Sequence, residues 1–337
     1  MISIVSLAFL IFALHAPSST AFDMSSSEMS VVYRYGELAL RDPASYRNEI
    51  VISPRPYSYL LADELPASWD WRNVDGLSYT TPIQNQHIPV YCGSCWSFSA
   101  MSSLGDRLNI ASNGQHPDIM PAPQVLINCG SAGDCNGGDS GAAYAWIYEA
   151  GGIPDTSCQA YEAQNRACTA ENICRNCNAT FSRLRKGQTC FAVTEYPKIY
   201  VEEHGNVTGD AQIMAEIFAR GPVVCYIDAG PLEGYTGGVN MYEGAGRTNH
   251  AIALVGWGET EDGLKYYVGR NSWGTYWGEN GWFRIVRGGL FDAGTCFWAV
   301  PSSDFSDYRG VEHSEERMGR RTDFGSRDRV SKWSTEK

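Results

Sequence analysis

Apolar residues dominate the first stretch of the chain from Ile2 to Leu14, and small residues follow, with Ser19 and Ala21 in a small-x-small arrangement. The run is too short to span a bilayer, which predicts a cleaved signal peptide over residues 1–21 rather than an anchor. Residues 22–64 are polar and tyrosine-rich, without a helical period, and Pro54-Arg55-Pro56 disfavours helix locally. This stretch reads as a short pro-segment or an extended linker. The first helical pattern follows: Phe98, Met101, Leu104 and Leu108 make an apolar stripe, which predicts a helix opening at Cys95 and ending before Gly114. A second helix is predicted over about 141–149, ahead of Gly151-Gly152. A third is predicted over 211–220, N-capped by Asp210 and stopped by Gly221-Pro222. Between them, residues 155–190 are cysteine-dense and read as a disulfide-stapled loop region.

After Pro222 the period changes. Residues 223–227, 251–255, 266–268 and 282–286 are short apolar or alternating runs separated by glycines and polar residues, as expected of antiparallel strands. Helices early and strands late predict an α+β fold of two lobes with a cleft between them. No later segment is long and apolar enough to be transmembrane. From residue 301 to 337 the chain is densely charged with both signs, which predicts a flexible tail after a domain spanning 65–300.

Composition narrows the function. The formal net charge of −12 argues against nucleic acid as a partner, because phosphate contacts need a basic surface. There are eleven cysteines, none before residue 92. A signal peptide implies an oxidising compartment, where an even set reads as disulfides, so an odd set leaves one thiol over. Sequons at Asn178 and Asn206 agree with a secretory route to the lysosome or the extracellular space.

Cys92-Gly93-Ser94-Cys95-Trp96 is the sharpest motif. Two disulfide cysteines near a turn, or a redox CxxC pair, are the competing readings. A cysteine at a helix N-terminus suits a nucleophile, because the positive end of the helix favours thiolate over thiol. Such a nucleophile needs a histidine to pair with it and to protonate the leaving group. Of six histidines, His15 and His313 fall in the leader and the tail, and His116 and His204 in polar loop contexts. His250 instead opens the apolar run Ala251 to Val255. A histidine opening a strand is more often structural when taken alone; the Cys95 motif makes it the candidate partner.

With Asn271-Ser272-Trp273-Gly274 downstream, the stretch from about 66 to 300 resembles the papain family of cysteine peptidases. The resemblance implies a papain-like fold, with a helical N-terminal lobe and a β-barrel-like C-terminal lobe. It assigns Cys95 as nucleophile, His250 as its acid and base, and Asn271 as the group orienting the imidazole under the cover of Trp273. Gln86 and the Cys95 backbone N–H would hold the oxyanion. Asn136-Gly137-Gly138 resembles the segment that pairs with substrate backbone, where Gly137 and Gly138 would let a peptide approach. With Cys95 left as a thiol, the resemblance implies bridges Cys92–Cys135, Cys129–Cys168, Cys158–Cys174, Cys177–Cys190 and Cys225–Cys296; spacing alone fixes none of them.

Between Gln86 and Cys92 stands the insertion His87-Ile88-Pro89-Val90-Tyr91, longer than is usual in the family. It resembles the loop of a carboxypeptidase branch in which a histidine binds the terminal carboxylate of the substrate. Carried over, His87 is the anchor and Tyr91 its supporting wall, and the activity implied is removal of single C-terminal residues. The partners implied are peptides with a free C-terminus and the chain's own pro-segment as inhibitor, acting on a monomer without metal or other cofactor. An endopeptidase or dipeptidase is the alternative enzyme. A secreted disulfide scaffold that only binds partners is the alternative class, and it has no need of Cys95, His250, Asn271 and Gln86 together.

Overall fold

The computed structural model describes residues 49–114, 119–182, 185–241, 248–288 and 296–303. The stretches expected to be a signal peptide (1–21) and most of a pro-segment (22–48), with His15, His116, His313 and nearly all of the charged tail, therefore lie outside the described residues.

Four α-helices are present among the described residues. Helix α1 (Cys95–Ala111) opens at the predicted residue. Helix α2 (Pro123–Cys129) starts on a proline at its first turn, where the missing N–H costs nothing. Helix α3 (Ser140–Glu149) is capped by Asp139, whose carboxylate accepts the Ala142 N–H. Helix α4 (Asp210–Arg220) begins at Asp210 itself, so the predicted cap is corrected: Gly209 precedes the helix. The Asp210 carboxylate serves tertiary partners instead, the Tyr267 hydroxyl and Arg287. Gly221, at φ +111°, ends α4 as predicted.

One large sheet carries the strands of the second half. Its elements are β1 (Trp69–Asp70), β6 (Val201–Val207), β7 (Val223–Ile227), β8 (Val239–Asn240), β9 (His250–Glu259), β10 (Lys265–Arg270), β11 (Trp282–Val286) and β12 (Cys296–Pro301). The order is β6-β12-β7-β9-β10-β11-β8, with β1 also pairing β9. All pairings are antiparallel except β11 with β8. Strand β9 is buried on both faces except at its last residue, which explains its unbroken apolar run.

Two small hairpins stand apart: β2 (Gly133–Asp134) with β3 (Gly137–Gly138), and β4 (Arg175–Ser182) with β5 (Arg185–Ala192). The second corrects the reading of 155–190 as loop throughout. The Cys177–Cys190 bridge joins directly paired residues of that hairpin. His204, read as a loop residue, lies in β6 and is buried.

The apolar residues form two cores, one per lobe. The first joins the inner face of the sheet to α4 and to Leu60, Leu65, Trp69 and Trp71 from the start of the described chain. The second joins α1, α2 and α3. Early sequence thus contributes to the late lobe, and the chain crosses over before α1. Helix α1 packs against β9, so the element led by Cys95 lies on the element led by His250. All but the last residue of α1 is buried. Its charged residues are therefore paired: Asp106 with Arg270, and Arg107 with Glu216. Among the described residues no helix is long and apolar enough to cross a membrane.

Candidate active site

Cys95 is the first residue of α1 and is fully buried. Ser97 and Phe98 donate their N–H groups to the Ser94 carbonyl, so the helical ladder starts immediately around the thiol. The positive end of a long helix is thereby placed at the sulfur. The five bridges implied by the resemblance are all present, and Cys95 is the cysteine outside them. Cys92–Cys135 ties the turn before the nucleophile to the β2–β3 hairpin, and the Gly93 N–H adds a 2.7 Å bond to the Cys135 carbonyl.

His250 opens β9 opposite Ile227 and is 1% exposed. Its Nε2 lies 2.9 Å from Asn271 Oδ1. That oxygen also accepts the Ser272 N–H at 2.8 Å, which identifies it as the amide oxygen. An amide oxygen has no proton to give, so Nε2 donates and Nδ1 is the nitrogen left to exchange a proton. Trp273 lies against the imidazole with ring centroids 4.9 Å apart and is itself 1% exposed. A second tryptophan, Trp277, meets Trp273 edge-on at 5.2 Å. This indole cover keeps water from the His250–Asn271 bond, and a low local dielectric strengthens it.

Gln86 is fully buried and held from several sides. Its backbone N–H donates to the Ser272 carbonyl at 2.9 Å. Its side-chain oxygen accepts the Ser272 hydroxyl at 2.6 Å, and its side-chain nitrogen donates to the Cys92 carbonyl at 3.2 Å. The Tyr161 hydroxyl donates to the Gln86 carbonyl at 2.6 Å and lies 2.7 Å from Ser94 Oγ. A phenol has one proton, so Ser94 donates to Tyr161. Neither Ser272 nor Tyr161 was singled out from sequence. Ser272 lies inside the Asn271-Ser272-Trp273 motif and was within reach. Tyr161 sits in the cysteine-dense segment, 75 residues from its partner Gln86, where no local pattern could announce it.

The insertion after Gln86 projects outward: Ile88 is 59% exposed and Tyr91 41%. Its two ends are brought together. The His87 ring stacks on the Tyr91 ring, centroids 4.8 Å apart and planes at 23°. The His87 N–H donates to Asn85 Oδ1 at 2.9 Å, and Asn85 bridges to Trp273. The histidine loop is thus tied to the strip that orients His250.

Gly137 and Gly138 pair with Asp134 and Gly133 in the β2–β3 hairpin. A Cβ on Gly138 would come within 2.4 Å of the Trp96 ring, so the bare backbone there makes room for Trp96. Among the described residues no group of three or more His, Cys, Asp or Glu is placed to hold a metal ion.

Behind the site, Asp106 of α1 accepts from the Thr81 N–H and hydroxyl at 2.6 and 2.9 Å, and from Arg270 at 3.1 Å. Arg270 immediately precedes Asn271, so this ion pair joins α1, which opens at Cys95, to the amide that holds His250. Burial pushes the Asp106 carboxyl up to about 6, against the opposing pull of Arg270 and Thr81.

A buried cysteine at a helix start, with an imidazole fixed by an amide oxygen, is the constellation of a thiol acyl-transfer enzyme. Residues 65–298 match the profile of the papain family cysteine proteases. The chain belongs to the papain family. Cathepsin Z of Onchocerca volvulus is 40% identical over 250 residues, spanning 71% of this chain and 79% of that one. Cysteine endopeptidase Rep1 of Oryza sativa subsp. japonica is 31% identical over 288 residues, 84% of this chain and 68% of that one. Among solved structures, digestive procathepsin L2 proteinase from Tenebrio molitor larval midgut aligns with a TM-score of 0.62 at 27% identity, covering 82% of this chain and 81% of that one. Membership of the papain family makes the protein a cysteine peptidase of α+β fold.

Proposed function

We propose that the protein is a carboxypeptidase that removes single residues from the C-termini of peptides. The observation that carries this reading is the insertion between Gln86 and Cys92, which stacks His87 on Tyr91 beside the oxyanion glutamine. The His87 imidazole would donate a hydrogen bond to the terminal carboxylate of a substrate. Binding energy spent on a chain end aligns the last peptide bond with Cys95 and disfavours internal cleavage. The relative named Cathepsin Z, 40% identical over 250 aligned residues, supports the same reading. The alternative is an endopeptidase, favoured by Trp96-Ser97-Phe98-Ser99-Ala100 and by the relative named an endopeptidase.

The proposed reaction uses these groups as follows. The Cys95 thiol passes its proton to His250 Nδ1, and the sulfur attacks the carbonyl carbon of the last peptide bond. The oxyanion takes hydrogen bonds from the Gln86 amide and the Cys95 N–H. His250 Nδ1 gives its proton to the departing amino acid, the C–N bond breaks, and a thioester remains. Water gives a proton to Nδ1 and its oxygen to the acyl carbon; the C–S bond then breaks, the sulfur takes that proton back from Nδ1, and the shortened peptide leaves with a new terminal carboxyl. Asn271 keeps Nε2–H occupied throughout, so that Nδ1 faces the chemistry.

We further propose that residues 1–21 are a secretory signal and that 22–64 are an inhibitory pro-segment, with the active protein acting in the lysosome or outside the cell as a monomer. Asn178 is exposed on β4 and Asn206 half-buried on β6, and both are proposed glycan sites.

The deciding experiment incubates activated protein with one peptide, either as its free acid or amidated, and reads product masses. Loss of one residue from the free acid only is expected. Equal cleavage of both forms overturns the clamp. Replacing His87 by Ala should cut kcat/KM for the free acid about ten- to a hundredfold, the value of a charge-assisted hydrogen bond, and leave the amide unchanged.

A further inference from the structure

Strand β6 ends the large sheet, and an end strand presents a row of backbone donors and acceptors to one side. That side is filled by the chain's own residues 49–55. Ile50 exchanges both backbone hydrogen bonds with His204 at 3.0 Å. Glu203, 6% exposed, accepts the N–H groups of Ile52 and Ser53 on one carboxylate oxygen at 3.0 and 3.1 Å. Glu49 accepts the Asn206 N–H at 2.8 Å, and Arg55 donates to the Asn206 carbonyl at 3.0 Å. Glu49 and Arg55 pair with each other, and the Arg55 guanidinium lies over the Trp298 ring at 6.0 Å. Pro54 comes next after the two N–H donors, where the ladder has ended and its missing N–H costs nothing. The turn Pro56–Ser58 then packs on α4, and Leu60 enters the core.

This surface holds none of Cys95, His250, Asn271 or Gln86. It reads an extended backbone through the β6 ladder and the Glu203 carboxylate, while Glu49 and Arg55 of the segment fix the register on Asn206, a mode of recognition by strand addition. A cavity of about 230 Å³ continues from it between β6 and α3, with Glu49, Tyr144, Glu149 and His204 on its walls. The residues before 65 contain no cysteine that could cap Cys95 covalently.

We propose that the outer edge of β6 is a peptide-docking site separate from the cleft, and that it retains the pro-segment on the enzyme by strand addition through residues 49–55. The inference rests on the reading of 22–64 as a pro-segment. A cut before Leu65 then leaves the segment bound until the β6 ladder opens.

The test uses the full chain with a specific protease site built between Glu64 and Leu65, cut once after purification. Size exclusion and mass spectrometry follow how fast the N-terminal fragment leaves. The fragment is expected to stay with the wild-type enzyme and to leave at least tenfold faster in Ile52→Pro and Arg55→Ala, with Ile50→Pro behaving alike. These changes lie in the fragment, so the sequence of the catalytic domain is unaltered. Filling the cleft with a peptidyl inhibitor on Cys95 should not expel the fragment. Immediate loss from wild type, equal rates in the variants, or expulsion by the inhibitor overturns the proposal. Peptide hydrolysis is assayed separately, on enzyme stripped of its fragment: a protein that kept its fragment but cleaves no peptide once stripped supports the docking site and refutes the activity instead.

Discussion

The Tyr161 hydroxyl links Ser94, the residue before the proposed nucleophile Cys95, to the carbonyl of Gln86, the proposed oxyanion donor. Tyr161→Phe leaves both groups buried with one partner fewer. It should cost about 1–3 kcal/mol of stability by urea denaturation and lower kcat more than it raises KM. Ser272 works on the same glutamine from the other side, donating to its side-chain oxygen at 2.6 Å. Ser272→Ala should lower kcat about tenfold, because the amide loses the bond that fixes which end faces the oxyanion, and Ser272→Thr should restore it. Cys95→Ala should abolish turnover in a peptide assay while leaving the thermal midpoint close to that of wild type.

At the scale of elements, α1 and the strand leading to Asn271 are joined through the buried Asp106–Arg270 pair. The Asp106 carboxyl titrates near 6 in the fold and near its ordinary 3.8 when unfolded. The folded state therefore binds the proton more tightly. Stability from this group is complete below about 4 and is lost as pH rises through about 6. Thermal midpoints of wild type should fall across that window relative to those of Asp106→Asn, which removes the titration. Gly138 sets a different limit: Gly138→Ala drives a methyl into Trp96 and should cost about 1–3 kcal/mol by denaturant unfolding. Legibility also divides at this scale. The start of α1 and the strands at 223–227 and 282–286 could be read because their patterns are local and regular. Strand β6, with Glu202, Glu203, His204 and Asn206, looked like loop because its polar groups answer to residues about 150 positions away. Helix α2 is too short to show a period, and the β4–β5 hairpin was hidden by its cysteines. The catalytic residues were legible as motifs, whereas Tyr161 and the Gly138–Trp96 contact depend on tertiary neighbours.

For the whole molecule, the two lobes meet on the buried length of α1. Arg107 donates across that boundary to the carbonyls of Pro222, Gly221 and Ala299 and pairs with Glu216 of α4 at 2.9 Å. Arg107→Ala strips four acceptors in one change. It should cost about 3–5 kcal/mol, read as a lower denaturant midpoint for both lobes together. The bridges bear on the enzyme in a further way. Ten of the eleven cysteines are committed to disulfides, so a thiol-directed reagent meets one chemical target per molecule, and that target is the proposed nucleophile. A single mass increment on the intact chain then counts competent molecules directly, and the protein carries its own standard for dose and purity.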